Sequence, residues 1–153
     1  MFELFKATKD GDLTVRLDEN LRELIRKVTE ELREVLLVDD TDQVARLYPT
    51  AYPDDDELDK DYQEMVHDQL LMDRLDGIDK LQGSLDDTTI SVELADVWMN
   101  TINQARLVLG TQLDVSEDDG PIEEDDPLVQ NKVVYQLLSH ILEDLTHART
   151  RLL

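Results

Sequence analysis

The sequence predicts a mainly α protein, an N-terminal β-hairpin followed by a bundle of about four helices. Three observations carry that expectation. Hydrophobic residues reach 41% while aromatics are only 5%, so Leu and Val do the packing, which suits helices laid on helices better than a β-sandwich. Four long segments place apolar residues at i, i+3, i+4 spacing. One short segment at the start instead alternates around Asp10-Gly11. At 153 residues, one domain over 1–153 suffices, and a chain of that length buries about 70% of its unfolded surface.

The hairpin is expected over about 3–17, with extended runs Glu3–Thr8 and Leu13–Leu17. LTVRL alternates apolar and polar residues as a half-buried strand should, and Asp10-Gly11 fits a two-residue type I′ turn, because Gly tolerates positive φ. Asp18 follows as an N-cap with Glu19 in the first turn. The first helix then runs over about 18–38 on Leu21, Leu24, Ile25, Val28, Leu32, Val35 and Leu36.

The second helix is expected over about 54–85. Asp54 and Glu57 form a D-x-x-E capping box, and Asp55 and Asp56 sit at the positive end of the helix dipole. Leu58, Tyr62, Met65, Met72 and Leu75 form its stripe, continued by Ile78, Leu81 and Leu85. Gly77 and Gly83 each cost about 1 kcal/mol against Ala, which makes 77–83 the place for a bend or an early end. Ser91 caps the third helix, 92–113, whose stripe is Leu94, Trp98, Ile102, Ala105, Leu109 and Leu113. Gly110 is either its C-cap or a residue inside it.

The segment 114–126 carries eight acidic residues and no basic one, a composition that reads as a solvated acidic loop. Asp126 and Pro127 make an N-cap and N1 pair for the last helix, about 127–151. Its stripe is Val134, Leu138, Ile141, Leu145, Ala148 and Leu152. Val133 and Leu137 widen that stripe, as in a helix clamped between neighbours or used in a homodimer.

Charge narrows the function. The formal net charge is −22. Residues 1–33 are close to balance, with seven basic and eight acidic side chains, so the excess lies beyond them. Duplex DNA is read from a basic face, and none is present, so no direct nucleic-acid contact is expected. The same charge repels anionic membrane and attracts basic protein surfaces. The absence of cysteine excludes disulfides, Cys-ligated zinc, iron–sulfur clusters and thiol switches. No 18-residue apolar run and no signal-type h-region occurs, the pattern of a cytoplasmic protein.

Chemistry-bearing motifs are sparse. Glu64…His67 and Asp144…His147 share the carboxylate-x-x-His spacing of di-iron bundles, but both histidines lie off the apolar stripes and read as solvated. The acid runs lack the EF-hand pattern of Gly and Glu. No nucleophile elbow or Gly-rich phosphate loop surrounds Ser84, Ser91, Ser116 or Ser139. The expectation is a protein that is not an enzyme, with no cofactor and no metal. Met65, Met72 and Met99 read as core filler, and Trp98 as a core anchor.

Two stretches carry more than packing: RLYPTAYPDDDELDKDYQEM at 46–65, followed by Asp68, Leu70 and Arg74, and NQARLVLGTQL at 103–113. Together with the start DGDLTVRLDENLRELI they resemble the AosR-like family, actinobacterial regulators of transcription in oxidative stress. The resemblance implies an interaction surface of Arg46, Tyr48, Pro49, Tyr52, Pro53 and Asp54, with Asp55 and Tyr62 on the same motif. From the second motif it adds Asn103, Arg106 and Gly110, with Leu107 and Leu113 alongside. It implies a non-enzymatic regulator with a protein partner, a sigma factor or another transcription component. The family usually has Asn-Asp where this chain has Asn103-Gln104, and without cysteine the chain cannot sense oxidants through a thiol. The alternative is an acidic adaptor or nucleic-acid mimic of the cytoplasm, linked for example to Clp proteolysis. For the Tyr-Pro motif two placements stay open: a buttress over helix ends, or a surface facing a partner.

Overall fold

The computed structural model describes residues 3–38, 56–113 and 129–152. In chain order these form β1 (Phe5–Ala7), β2 (Leu13–Val15), α1 (Glu19–Val38), α2 (Asp56–Ser84), β3 (Thr89–Ile90), α3 (Val92–Leu113) and α4 (Val129–Thr150). The mainly α architecture with an N-terminal hairpin is as expected. The loop at 114–126, the capping box at Asp54 and the Asp126-Pro127 start lie outside the described residues.

The hairpin forms with Phe5 opposite Val15 and Ala7 opposite Leu13, but its turn differs from the expected two-residue type. Thr8 N donates to Asp12 O at 2.9 Å, and Gly11 N to Thr8 O at 3.3 Å. Lys9, Asp10 and Gly11 therefore make a three-residue loop. Gly11, at φ +86°, supplies the left-handed residue that closes such a loop as a bulge. The glycine is used for the conformational reason expected, one position later in the turn.

β3 was not foreseen. It pairs antiparallel with β2, Leu13 opposite Ile90, and gives a sheet of order β1-β2-β3. Two residues of TTIS carry no periodicity; the strand exists because β2 offers an edge. The outer edge of β1 is covered by α4, where Leu4 N donates to Asp144 Oδ2 at 3.1 Å and Arg151 pairs with Glu3 at 3.3 Å.

The caps of α1 and α3 are those expected. Leu21 N donates to Asp18 Oδ1 at 2.8 Å, and Leu94 N donates to Ser91 Oγ at 3.1 Å. Each side-chain oxygen satisfies an amide that the first turn leaves without a partner. Beyond Gly77 and Gly83, α2 continues to Ser84 with neither early end nor break. Gly110 lies inside α3, which runs on to Leu113, so it is not a C-cap.

α3 is the central helix and packs against α1, α2 and α4. Around it Ile25, Leu32, Leu36, Ile78, Leu81, Leu85, Leu138, Ile141 and Leu145 are buried, and Phe5, Leu13 and Val15 close one end. Trp98 is fully buried. It meets Phe5 edge-on, with centroids 6.1 Å apart, and donates from Nε1 to Ser84 Oγ at 2.9 Å. The expectation of a core anchor is met. Met99 packs against this core.

Leu58 and Met72 are corrections, at 50% and 66% exposed. At about 100° per residue they lie far round the helix from Ile78, Leu81 and Leu85, and it is the latter face that α1 and α3 cover. The side chains of Tyr62, Met65 and His67 lie outside the described residues. The wide stripe of α4 divides, with Leu138 and Ile141 buried and Val133 and Leu137 at 43% and 37% exposed.

A polar seam joins α1 to α2. Arg33 reaches Glu30 at 3.2 Å and Asp79 at 2.8 Å, and donates to Gln82 Oε1 at 2.9 Å. Gln82 Nε2 donates to Thr29 Oγ1 at 3.0 Å and to Glu30 Oε2 at 3.2 Å. Those bonds from Gln82 and Arg33 hold the Glu30 carboxyl below its ordinary value of 4.5. Burial works against the Arg33 charge, yet the bonds to Asp79 and Glu30 outweigh it and raise the group above its ordinary value.

The sign for stability follows. The folded-state pKa of Glu30 is the lower one, so its contribution is complete above about pH 4.5 and fades as pH falls through the folded value. Glu30 is half-exposed, so its ion pair contributes below about 1 kcal/mol. Urea titrations of wild type and Glu30→Gln are expected to differ at neutral pH and to converge below that window. A constant difference across the acid range would show that ionisation of Glu30 plays no part.

Candidate functional site

Of the residues assigned to an interaction surface, Arg46, Tyr48, Pro49, Tyr52, Pro53 and Asp54 lie outside the described residues. Asn103, Arg106 and Gly110 are described, and they share one side of α3 by helical spacing. Gly110 is buried, and Asn103 and Arg106 are half-buried.

Arg106 is the centre of this group. Its Nη2 donates to Asn103 Oδ1 at 2.9 Å, one turn back on the same helix. Nη1 lies 3.5 Å from Ser139 Oγ on α4, and the guanidinium carbon stands 5.8 Å from the Tyr135 ring centroid. Ser139 and Tyr135 are themselves joined, because Ser139 Oγ donates to the Tyr135 carbonyl at 3.0 Å. Arg106 Nε is buried without a hydrogen-bond partner.

The partners differ in kind from those of four other arginines, whereas Arg22 is likewise held by neutral oxygens, the carbonyls of Leu17 and Leu85. Arg26, Arg33, Arg149 and Arg151 each reach a carboxylate. Among the described residues Arg106 is held only by neutral oxygens and an aromatic ring. A guanidinium fixed this way keeps its charge in one orientation, since no carboxylate among the described residues neutralises it. Chemically, the arrangement suits a carboxylate or another anionic group brought by a second molecule.

The sequence singled out Asn103 and Arg106 but missed Tyr135 and Ser139. Their signal was an i, i+4 polar pair on the edge of the α4 stripe, overshadowed by Val133, Val134, Leu137 and Leu138. Of the two carboxylate-x-x-His pairs, the second divides: Asp144 accepts from Leu4 N at the sheet edge, and His147 is exposed. No cluster of metal-ligating side chains occurs among the described residues, and no described helix is long and apolar enough to cross a membrane.

A family model described as a domain of unknown function, DUF2017, matches residues 2–149. The chain belongs to the DUF2017 family. The match takes in every described strand and nearly all of α4, so the hairpin, the sheet and the Arg106 group all fall within the DUF2017 domain. No curated protein and no solved structure matches the chain.

Proposed function

We propose that this DUF2017 protein is a non-enzymatic cytoplasmic regulator that works by contact with a protein partner. The kind of partner is the one the AosR-like resemblance implies, a sigma factor or another transcription component. The observation that carries the reading is Arg106, oriented by Asn103, Ser139 and Tyr135 with no carboxylate among the described residues to neutralise it. Arginine beside an aromatic ring is the typical anchor of a protein interface. The net charge of −22 supports contact with protein over contact with DNA. Its long-range field draws basic surfaces in, while the fixed guanidinium selects where an acidic group of that partner docks.

The test is affinity capture from native cytoplasm with mass spectrometry, comparing wild type, Arg106→Ala, Arg106→Lys and Tyr52→Ala. A transcription protein is expected to be enriched by wild type and weakened about tenfold or more by Arg106→Ala, with helicity retained. Arg106→Lys is expected to restore little, because an ammonium keeps the charge but not the planar fork. Enrichment of Clp components in place of transcription proteins would favour the adaptor reading. Enrichment of neither, with association insensitive to salt, would remove the support for both.

A further inference from the structure

The side of α4 turned away from Arg106 differs in charge from the outer faces of α1 and α2. Of 153 residues 37 are acidic, and they crowd those two helices. α1 exposes Glu23, Glu30 and Glu34, and α2 exposes Asp68, Asp73 and Asp76. Residues 127–142, by contrast, hold no carboxylate at all. Within them Gln130, Val133, Leu137 and His140 are exposed. They follow one another as i, i+3, i+7 and i+10, the repeat of a two-helix coiled-coil seam.

The two apolar side chains occupy the middle of this seam, and Gln130 and His140 its ends. That is the layout of a protein interface, an apolar centre inside a polar rim. At about 100° per residue Leu137 stands across the helix from Tyr135 and Ser139. The seam and the Arg106 group are therefore separate surfaces.

We propose that this seam pairs with the same seam of a second copy of the chain, the two α4 helices running antiparallel. Charge selects the occupant. Each copy carries −22, so an approach through α1 or α2 sets carboxylate against carboxylate. On the seam two copies meet without that conflict, whereas a basic partner finds no anion there. The seam is also self-complementary under a twofold axis. With the axis level with residue 135, Val133 of one copy meets Leu137 of the second, and Leu137 meets Val133. Gln130 then lies level with His140 at both ends, where amide and imidazole can hydrogen-bond. The antiparallel order opposes the two helix dipoles favourably. A seam of this length spans about 15 Å, which suits a micromolar contact rather than an obligate dimer.

The test is analytical ultracentrifugation of the full chain from low-micromolar to submillimolar concentration. It is run at about 0.05 and about 0.5 M NaCl, between which the screening length falls about threefold. A monomer–dimer equilibrium is expected, and it should tighten with salt, because screening relieves the repulsion between copies while the apolar contact stays. Contact between opposite charges through Arg106 has the reverse salt response, and Arg106→Ala should leave the dimer intact. Leu137→Glu is expected to weaken the dimer about tenfold or more, with helicity unchanged. Thr146→Glu, which adds the same charge at an exposed position off the seam, should not. Since the chain has no cysteine, Val133→Cys and Leu137→Cys report the register. Mixed together, they are expected to form a disulfide-linked dimer faster than either does alone. The proposal is overturned if the chain stays monomeric throughout, if the dimer weakens with salt, if Leu137→Glu dimerises like wild type, or if the mixed cysteine variants show no preference. A monomer whose capture of another protein is lost in Leu137→Glu would assign the seam to a foreign partner and overturn it equally.

Discussion

Trp98→Ala is expected to destabilise the protein by about 3–5 kcal/mol, the usual cost of removing a fully buried tryptophan. Three losses combine. The largest side chain of the core disappears at a point where α3 meets the hairpin, and the cavity left behind is walled by Phe5 and its neighbours. The edge-on contact with the Phe5 ring, 6.1 Å between centroids, goes with it. Ser84 Oγ also loses the indole donor at 2.9 Å, although that hydroxyl keeps its own donation to the Lys80 or Leu81 carbonyl. Urea unfolding followed by far-ultraviolet circular dichroism measures the total. Trp98→Phe keeps most of the buried area and is expected to lose a smaller share. Ser84→Ala tests the hydrogen bond alone and should cost about 1–3 kcal/mol, because it leaves a buried N–H without an acceptor. If Trp98→Ala lost under 1 kcal/mol, the hairpin could not be docked through this residue.

That result bears on how much of the molecule could be read from its sequence. Trp98, Ile102 and Leu138 repeat at helical spacing beside other apolar residues, so their burial follows from local pattern. The caps at Asp18 and Ser91 were legible for a similar reason: a short side-chain oxygen acts on an amide three residues away. Elements that depend on distant chain were not legible. β3 is made by β2, and the exposure of Leu58 and Met72 is set by which face of α2 meets α1 and α3. The candidate site divides along the same line. Asn103 and Arg106 lie one turn apart on one helix and were singled out together. Tyr135 and Ser139, which orient the guanidinium, come from another helix. Gln104 stood out in the sequence as a departure from the family's Asn-Asp, and the burial of its Oε1 follows from the fold.

The two glycines of α2 look alike in sequence and are expected to respond differently. Both lie in helix, and replacing either by alanine gains helix propensity, about 1 kcal/mol in an exposed interior. At Gly83 a Cβ meets nothing within 4 Å, so Gly83→Ala should deliver most of that gain. At Gly77 the Cβ would stand 3.0 Å from Thr101 Oγ1 and 3.9 Å from Val97 Cγ1. Thr101 is itself buried, so it has little room to give, and Gly77→Ala should come out near neutral as propensity and crowding offset. Gly77→Leu adds atoms beyond the Cβ that only parting the helices can accommodate. Overpacking of that kind costs about 1–3 kcal/mol. Denaturation of the three variants side by side measures the contrast. Equal stabilisation by Gly77→Ala and Gly83→Ala, with Gly77→Leu tolerated, would mean that α2 and α3 are not held as closely as this geometry requires. The expected order instead makes Gly77 the residue that sets the spacing of the two helices, and its cost in helix propensity the consequence of that spacing.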